Sequence, residues 1–185
     1  MEIVLASSSP RRKAILRKLG FRFTCAKSDV VEKTRRGSAE SNAKRLALGK
    51  ARAVAERHAG AIVIGADTMI GRNGKFCLKT GSKRKAKEML RELSGKWHNA
   101  WTGVAILKGK RKIVFCERAQ VRMRKLGRKE ICDYVAGGEA LGKAGCYNIA
   151  GKGRKLIEKV VGEPECVAGL PVKKLRKELR RIVAL

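Results

Sequence analysis

Aromatic residues are scarce: four Phe, two Trp and two Tyr amount to 4% of the 185 residues. A core must therefore be built mainly from Ala, Val, Ile and Leu, and few rings are available for stacking single-stranded bases. Histidine occurs only at His58 and His98, and none of the six cysteines belongs to a Cys-x-x-Cys pair, which argues against a zinc site. There is no charged-then-apolar leader, and no apolar run approaches ~18 residues, so neither a signal peptide nor a membrane span is expected. The cysteines are then expected to be reduced, mostly buried thiols of a cytoplasmic protein.

Acid is the other shortage. Sixteen Asp and Glu stand against 45 Lys and Arg, a formal net charge of +29. Such a balance favours anionic partners: nucleic acid, acidic membranes or nucleotides. The charge is spread over helix faces and loops, as in Lys83-Arg84-Lys85 and Lys173-Lys174-Leu175-Arg176-Lys177. A solvated basic surface accounts for that spread as simply as a nucleic-acid partner does. With 44% apolar residues the chain is long and apolar enough to fold, as one domain over residues 1–185 or as two lobes sharing a sheet.

Hydrophobic spacing predicts the elements. Residues 3–6 read as a strand, followed by Ser7-Ser8-Ser9 and a helix with Ser9 as N-cap, Pro10 at its first position and Gly20 at its end. Residues 21–25 read as a second strand and 40–57 as an amphipathic helix. The run Ala61-Ile62-Val63-Ile64-Gly65-Ala66 has the pattern of a strand buried on both faces, ending at Asp67-Thr68. Asn73-Gly74 centres a hairpin between 69–70 and 76–78. A helix over 82–93 capped by Ser82, long strands over 97–107 and 112–123, a helix over 129–136, a strand over 154–161 and a basic helix over 171–183 complete the chain. The alternation implies an α/β fold around a mixed β-sheet flanked by helices.

Three features carry chemistry. Arg11 and Arg12 lie in a first helical turn, where they oppose the helix dipole by roughly 0.3–1 kcal/mol each unless an anion is near. With Ser8 and free backbone N–H groups they form a candidate phosphate cradle. Asp67 emerges from a buried run behind small residues; it could hold a divalent cation, orient a water, or merely cap the strand, and Thr68 shares the ambiguity. Lys50 and Lys79 are candidate phosphate cations. Asp29 and Glu32, the two acids of Asp29-Val30-Val31-Glu32, could help hold Mg2+ or pair with Lys27, Lys33, Arg35 or Arg36.

Taken together these segments resemble a known family. Leu5-Ala6-Ser7-Ser8-Ser9-Pro10-Arg11-Arg12 closely resembles the opening signature of Maf proteins, nucleotide house-cleaning pyrophosphatases once described as septum-formation inhibitors. Ala47-Leu48-Gly49-Lys50-Ala51, Gly65-Ala66-Asp67-Thr68, Leu78-Lys79-Thr80, Trp101-Thr102-Gly103, Lys143-Ala144-Gly145-Cys146-Tyr147-Asn148-Ile149 and Val167-Ala168-Gly169-Leu170-Pro171 continue the likeness in order. The resemblance implies an elongated two-lobed α/β fold with an active-site cleft, often dimeric. It also implies hydrolysis of a nucleoside triphosphate between the α and β phosphates with Mg2+ or Mn2+. Asp67 would be the catalytic acid-base residue and, with Glu32, a metal contact; Ser8, Arg11, Arg12, Lys50, Thr68 and Lys79 would meet the substrate, Arg12 and Thr68 at its base. The dTTP/UTP branch of the family carries a glutamine where this chain has Ala150, so the preferred base stays open. A non-catalytic nucleic-acid binder or cell-division regulator is the competing reading, and weak, salt-sensitive binding of nucleic acid is compatible with either.

Overall fold

The structure is a computed structural model and describes residues 2–184. In chain order it runs β1 (Ile3–Ala6), α1 (Pro10–Lys18), β2 (Thr24–Cys25), α2 (Ala39–Ala55), β3 (Ile62–Arg72), β4 (Lys75–Phe76), α3 (Lys83–Leu93), β5 (Trp97–Lys108), β6 (Arg111–Met123), α4 (Arg128–Ala136), β7 (Ile157–Val161), α5 (Pro164–Ala168) and α6 (Val172–Ala184). Short 3-10 turns occupy Ala144–Cys146 and Lys152–Leu156.

The seven strands form one mixed sheet in the order β2-β1-β3-β5-β6-β7, with β4 added to the end of β3. Pairing is parallel from β2 through β1 to β3 and antiparallel from β3 onward. Successive residues of a strand point to opposite faces, and both faces are covered here. Leu5, Ile62 and Ile64 pack with Leu16 of α1 and with Leu175, Leu179 and Ile182 of α6. Val4, Ala6 and Val63 pack against Ala47, Ala51 and Val54 of α2. That two-sided burial is why residues 62–66 are apolar without alternation. A second core lies toward the other end of β5 and β6, where Ala100, Ala119 and Val121 meet Leu90 and Leu93 of α3 and Ile131 and Val135 of α4. The long strands thus run through two lobes.

Two glycines set how closely α2 lies on the sheet. A Cβ on Gly65 would stand 2.3 Å from the Ala47 carbonyl oxygen, and one on Gly103 would stand 2.3 Å from the Ala43 carbonyl carbon. The helix backbone rests almost directly on the strand backbones, a contact that any larger residue would prevent.

Several elements depart from the sequence reading. β3 continues through Asp67 and Thr68 to Arg72, so the acid sits in mid-strand rather than at its end. Polar groups were expected to end a buried strand, but these are satisfied by side chains from other elements. Only Thr24 and Cys25 of the expected 21–25 strand pair, because Phe21 and Phe23 turn toward the core under α6. The strand expected over 154–161 begins at Ile157; before it the chain turns, with Glu139 accepting hydrogen bonds from the N–H groups of Lys152 and Gly153. Ser9 occupies the N-cap position of α1 but makes no side-chain cap; its N–H instead donates to Ser7 Oγ at 3.2 Å. Ser82 does cap α3, accepting from the Lys85 N–H. The Asn73-Gly74 hairpin forms as expected, with both residues at positive φ. Of the cysteines, Cys77, Cys146 and Cys166 are buried, Cys25 is exposed, and all six are free thiols.

Candidate active site

The site occupies a gap in the sheet. β1 stops opposite Gly65 and β4 begins opposite Gly71, so between these points β3 has β5 on one side and no strand on the other. Chain leaving β1 turns across this gap into α1. The resulting cleft, about 600 Å³, is lined by Ser7, Ser8, Arg11, Arg12, Lys27, Glu32, Lys50, Thr68 and Lys79 on one side and by Glu139, Lys143, Tyr147 and Asn148 on the other. Crevices beyond strand ends, where a sheet changes direction, are where open α/β folds generally bind ligands.

Arg12 is buried and points back into the fold. Its Nε donates to the Gly169 carbonyl at 2.9 Å, Nη1 to Ser7 Oγ at 3.2 Å and Nη2 to Thr68 Oγ1 at 3.2 Å. Thr68 Oγ1 lies 2.9 Å from Thr102 Oγ1, and Thr102 donates to the Cys166 carbonyl at 2.6 Å. An arginine cannot accept and each hydroxyl has one proton, so the direction is determined: Arg12 to Thr68 to Thr102 to Cys166. Arg11 is less provided for. Its Nη1 reaches Asn148 Oδ1 only at 3.5 Å, and its Nε is buried with no acceptor among the described residues. Burial lowers the pKa of both arginines from the ordinary value. An anion in the cleft would supply what Arg11 lacks.

At the floor, α2 brings Lys50 over β3. Its Nζ donates to Asp67 Oδ1 at 2.6 Å and to Glu32 Oε1 at 2.5 Å, while Lys79 Nζ donates to Glu32 Oε2 at 2.5 Å. Lys50 and Asp67 are buried, with side-chain exposures of 7% and 4%; Glu32 and Lys79 lie open to the cleft. Burial works to raise the Glu32 pKa, but the hydrogen bonds and charges of Lys50 and Lys79 prevail and hold it down at about 2. Asp67 faces an adjoining recess of about 190 Å³ that shares Glu32, Thr68 and Lys79 with the main cleft. Among the described residues no three His, Cys, Asp or Glu side chains cluster; the acids at the floor are a pair, Glu32 and Asp67.

The opposite wall is held by Glu139. Its oxygens accept from Asn148 Nδ2, Tyr134 Oη and the N–H groups of Lys152 and Gly153. Burial opposes ionisation, yet these donors leave its carboxyl below the usual range. Tyr147 is fixed by a 2.9 Å hydrogen bond between its Oη and His98 Nε2, and burial pushes that imidazole down to about 4, so it is neutral at physiological pH. Lys143 projects from the same wall, its pKa lowered by burial and by Arg11.

All eight residues singled out from the sequence thus meet here: Ser8, Arg11, Arg12, Glu32, Lys50, Thr68 and Lys79 on the main cleft and Asp67 on its recess. Glu32 pairs with Lys50 and Lys79 rather than with the basic neighbours in its own loop, whereas Asp29 is drawn to Lys27, 3.9 Å away. Ala150 is exposed and is not among the cleft residues. Missed by sequence reasoning were Ser7, Glu139, Lys143, Tyr147 and Asn148. The last three belong to one segment that carries a signal, Lys143-Ala144-Gly145-Cys146-Tyr147-Asn148; Glu139 carries none of its own, since the backbone N–H groups it grips lie 13 and 14 residues on.

The Maf-like protein family profile matches residues 2–182. A dTTP/UTP pyrophosphatase of Bacillus mycoides (strain KBAB4) is 42% identical over 181 residues, covering 97% of this chain and 95% of that protein. One from Bacillus anthracis gives the same figures. A crystal structure of a nucleoside-triphosphatase / dITP/XTP pyrophosphatase from Mycobacterium abscessus aligns over 100% of this chain and 98% of its own, at 17% identity and a TM-score of 0.46. With a profile that spans the chain and relatives matched over almost their whole length, this protein belongs to the Maf-like family.

Proposed function

We propose that the protein is a nucleoside triphosphate pyrophosphatase, converting its substrate to the monophosphate and pyrophosphate. One observation carries the reading: Arg11, Arg12, Lys27, Lys50, Lys79 and Lys143 converge on one cleft against three carboxylates, Glu32 and Glu139 on its walls and Asp67 in its recess, and Arg11 Nε is buried there without an acceptor among the described residues. A polyphosphate chain is the kind of ligand that matches such an excess of positive charge. The names of the Bacillus relatives support the same reaction and favour dTTP and UTP as substrates; modified nucleotides fit the house-cleaning role that the family resemblance implies.

In this reading a water attacks the α phosphorus, the bond from that phosphorus to the oxygen bridging to the β phosphorus breaks, and pyrophosphate departs. Asp67 receives the proton. Lys50 holds Asp67 in place through its hydrogen bond, and Lys79 and Arg11 neutralise charge that builds on the phosphate oxygens. Arg12 and Thr68, fixed through Thr102, meet the base, while Ser8 adds a donor at the start of α1. The donor set suits a divalent cation, because one atom, Lys50 Nζ, already touches both carboxylates, and two carboxylates completed by substrate phosphates is a common arrangement for Mg2+. Glu32 and Asp67 would hold Mg2+ or Mn2+, which when bound supplies charge neutralisation and polarises the phosphoryl oxygens.

The test is the product. Chromatography of a reaction with Mg2+ or Mn2+ should show monophosphate and pyrophosphate; diphosphate and orthophosphate would overturn the assignment of the bond cleaved, and no turnover across the common nucleotides would overturn the enzyme.

A further inference from the structure

The cleft engages six of the 45 basic side chains, and six more stand on the single helix α6. That helix, VKKLRKELRRIVA, turns Leu175, Leu179 and Ile182 into the core. Lys173, Arg176, Lys177, Arg180 and Arg181 are exposed on its other face. Its one carboxylate offers little relief. Glu178 is buried at 5% exposure, with Lys174 and Arg181 at 3.8 and 3.7 Å, so no acid on the helix faces solvent.

Beside this face lies a groove of about 410 Å³, a volume within the usual ~300–1,000 Å³ of small-ligand sites. Ile3, Leu19, Phe21, Leu179 and Val183 give it apolar walls, and Arg176 and Arg180 stand at its rim. The basic character continues on both sides. Arg17, Lys18 and Arg22 are exposed next to Leu19 and Phe21 in the chain. Lys108 Nζ donates to the Ile182 carbonyl at 3.1 Å, which ties the β5–β6 turn, with Lys110 and Arg111, to the far end of α6. No residue is shared with the cleft. α1 opens on the cleft at its N-terminus and on the groove at its C-terminus, a separation of ~13 Å for nine residues.

We propose that this face binds single-stranded nucleic acid, with one base against Phe21 in the groove and the neighbouring phosphates on Arg176 and Arg180. An aromatic platform beside guanidinium groups, inside a basic track, is the combination that such strands use. A duplex keeps its bases stacked and paired and cannot offer one to the groove. A membrane is a poorer match, because an interfacial helix needs a free apolar side and that of α6 is already spent on the sheet. The proposal does not depend on the reaction assigned to the cleft.

Fluorescence anisotropy with a labelled oligo(dU), over a salt series, tests it. R176E/R180E should weaken binding at least tenfold and flatten the dependence of log K on log salt by about 1.4, at ~0.7 per phosphate contact. K83E/K85E, which makes the same change in net charge on α3, should weaken binding less than threefold. F21A should lose about tenfold toward oligo(dU) and nothing toward a duplex of equal length. Equal losses in the two charge variants would overturn the proposal, showing only diffuse attraction by a basic surface. An R176E/R180E protein that still binds oligo(dU) but loses anionic phosphatidylglycerol vesicles would also overturn it and give the face to membranes. Nucleotide turnover, expected to match wild type in every variant, and thermal melts, unchanged in the charge variants and lowered in F21A because Phe21 packs on the core, identify any variant that has misfolded; the conservative R176Q/R180Q pair and F21L then decide.

Discussion

Replacing Lys50 with methionine leaves the side-chain stem and removes the charge between Glu32 and Asp67. The two carboxylate oxygens it touches, at 2.5 and 2.6 Å, are then at most about 5 Å apart and repel by about 3 kcal/mol at an effective dielectric near 20. Stripping one partner from a buried ion pair typically costs ~3–5 kcal/mol, so the two estimates agree in scale. At ~2–4 °C per kcal/mol for a chain of this size, the melting temperature at mildly alkaline pH should fall by roughly 6–12 °C. The pH dependence is more diagnostic than the size. In the wild type, the carboxyl of Glu32 is depressed to about 2, so its contribution is complete above the ordinary carboxylate range and is lost as pH falls through it. In K50M the folded pair is relieved by taking up a proton, so the folded state binds more protons than the unfolded one. Stability must then rise as pH falls from about 8 to about 5, where the Glu32 contribution in the wild type is nearly flat. Circular dichroism melts of both proteins across that interval decide the matter. Parallel curves for the two would show that the carboxylates do not repel and that Lys50 is an incidental neighbour.

Asp67→Asn preserves the shape and leaves Lys50 bound to Glu32, so turnover should fall by about two orders of magnitude or more while the far-ultraviolet spectrum stays native; surviving turnover would refute the general-base role. Thr102→Val removes the donor to the Cys166 carbonyl and the acceptor for Thr68, a cost of ~1–3 kcal/mol in stability, and frees Arg12, so KM should rise with kcat little changed; an unchanged KM would show that the relay does not position Arg12. Ala150 has no side-chain donor or acceptor for a base edge, so Ala150→Gln should sharpen the preference for dTTP and UTP over CTP, GTP and ATP in kcat/KM. Identical ratios in the two proteins would show that position 150 does not read the base.

The order of the elements was legible because each obeys a local rule. Residues 62–66 are apolar in succession since both faces of β3 are covered, and residues 43–54 repeat at helical spacing since α2 has one side on the sheet. Asp67 was found as an acid against a buried run, but its place within the strand was not. What permits a carboxylate there is Lys50, 17 residues earlier, and no pattern inside residues 61–70 registers it. The same limit hid Glu139, which grips backbone N–H groups at 152 and 153 and thereby replaces the first residues of the expected strand with a turn. Ser7 was passed over in favour of Ser9 because capping rules look at the residue before the helix, whereas the hydroxyl used is two residues earlier and also serves Arg12.

Gly65 and Gly103 bear no functional group, yet the distance from Lys50 to Asp67 depends on both, since it is their missing Cβ atoms that let α2 settle onto the sheet. Alanine at either would have to lift the helix or bend the strand beneath it by about 1 Å, enough to stretch the 2.6 Å bond from the ammonium to the carboxylate beyond hydrogen-bond range. In a mutational scan scored on turnover, these two positions would register alongside Asp67 itself, as hits that no inventory of reactive side chains would nominate. No truncation of Ala47 or Ala43 would rescue such a variant, because what an added Cβ would meet first is helix backbone, the Ala47 carbonyl oxygen at Gly65 and the Ala43 carbonyl at Gly103.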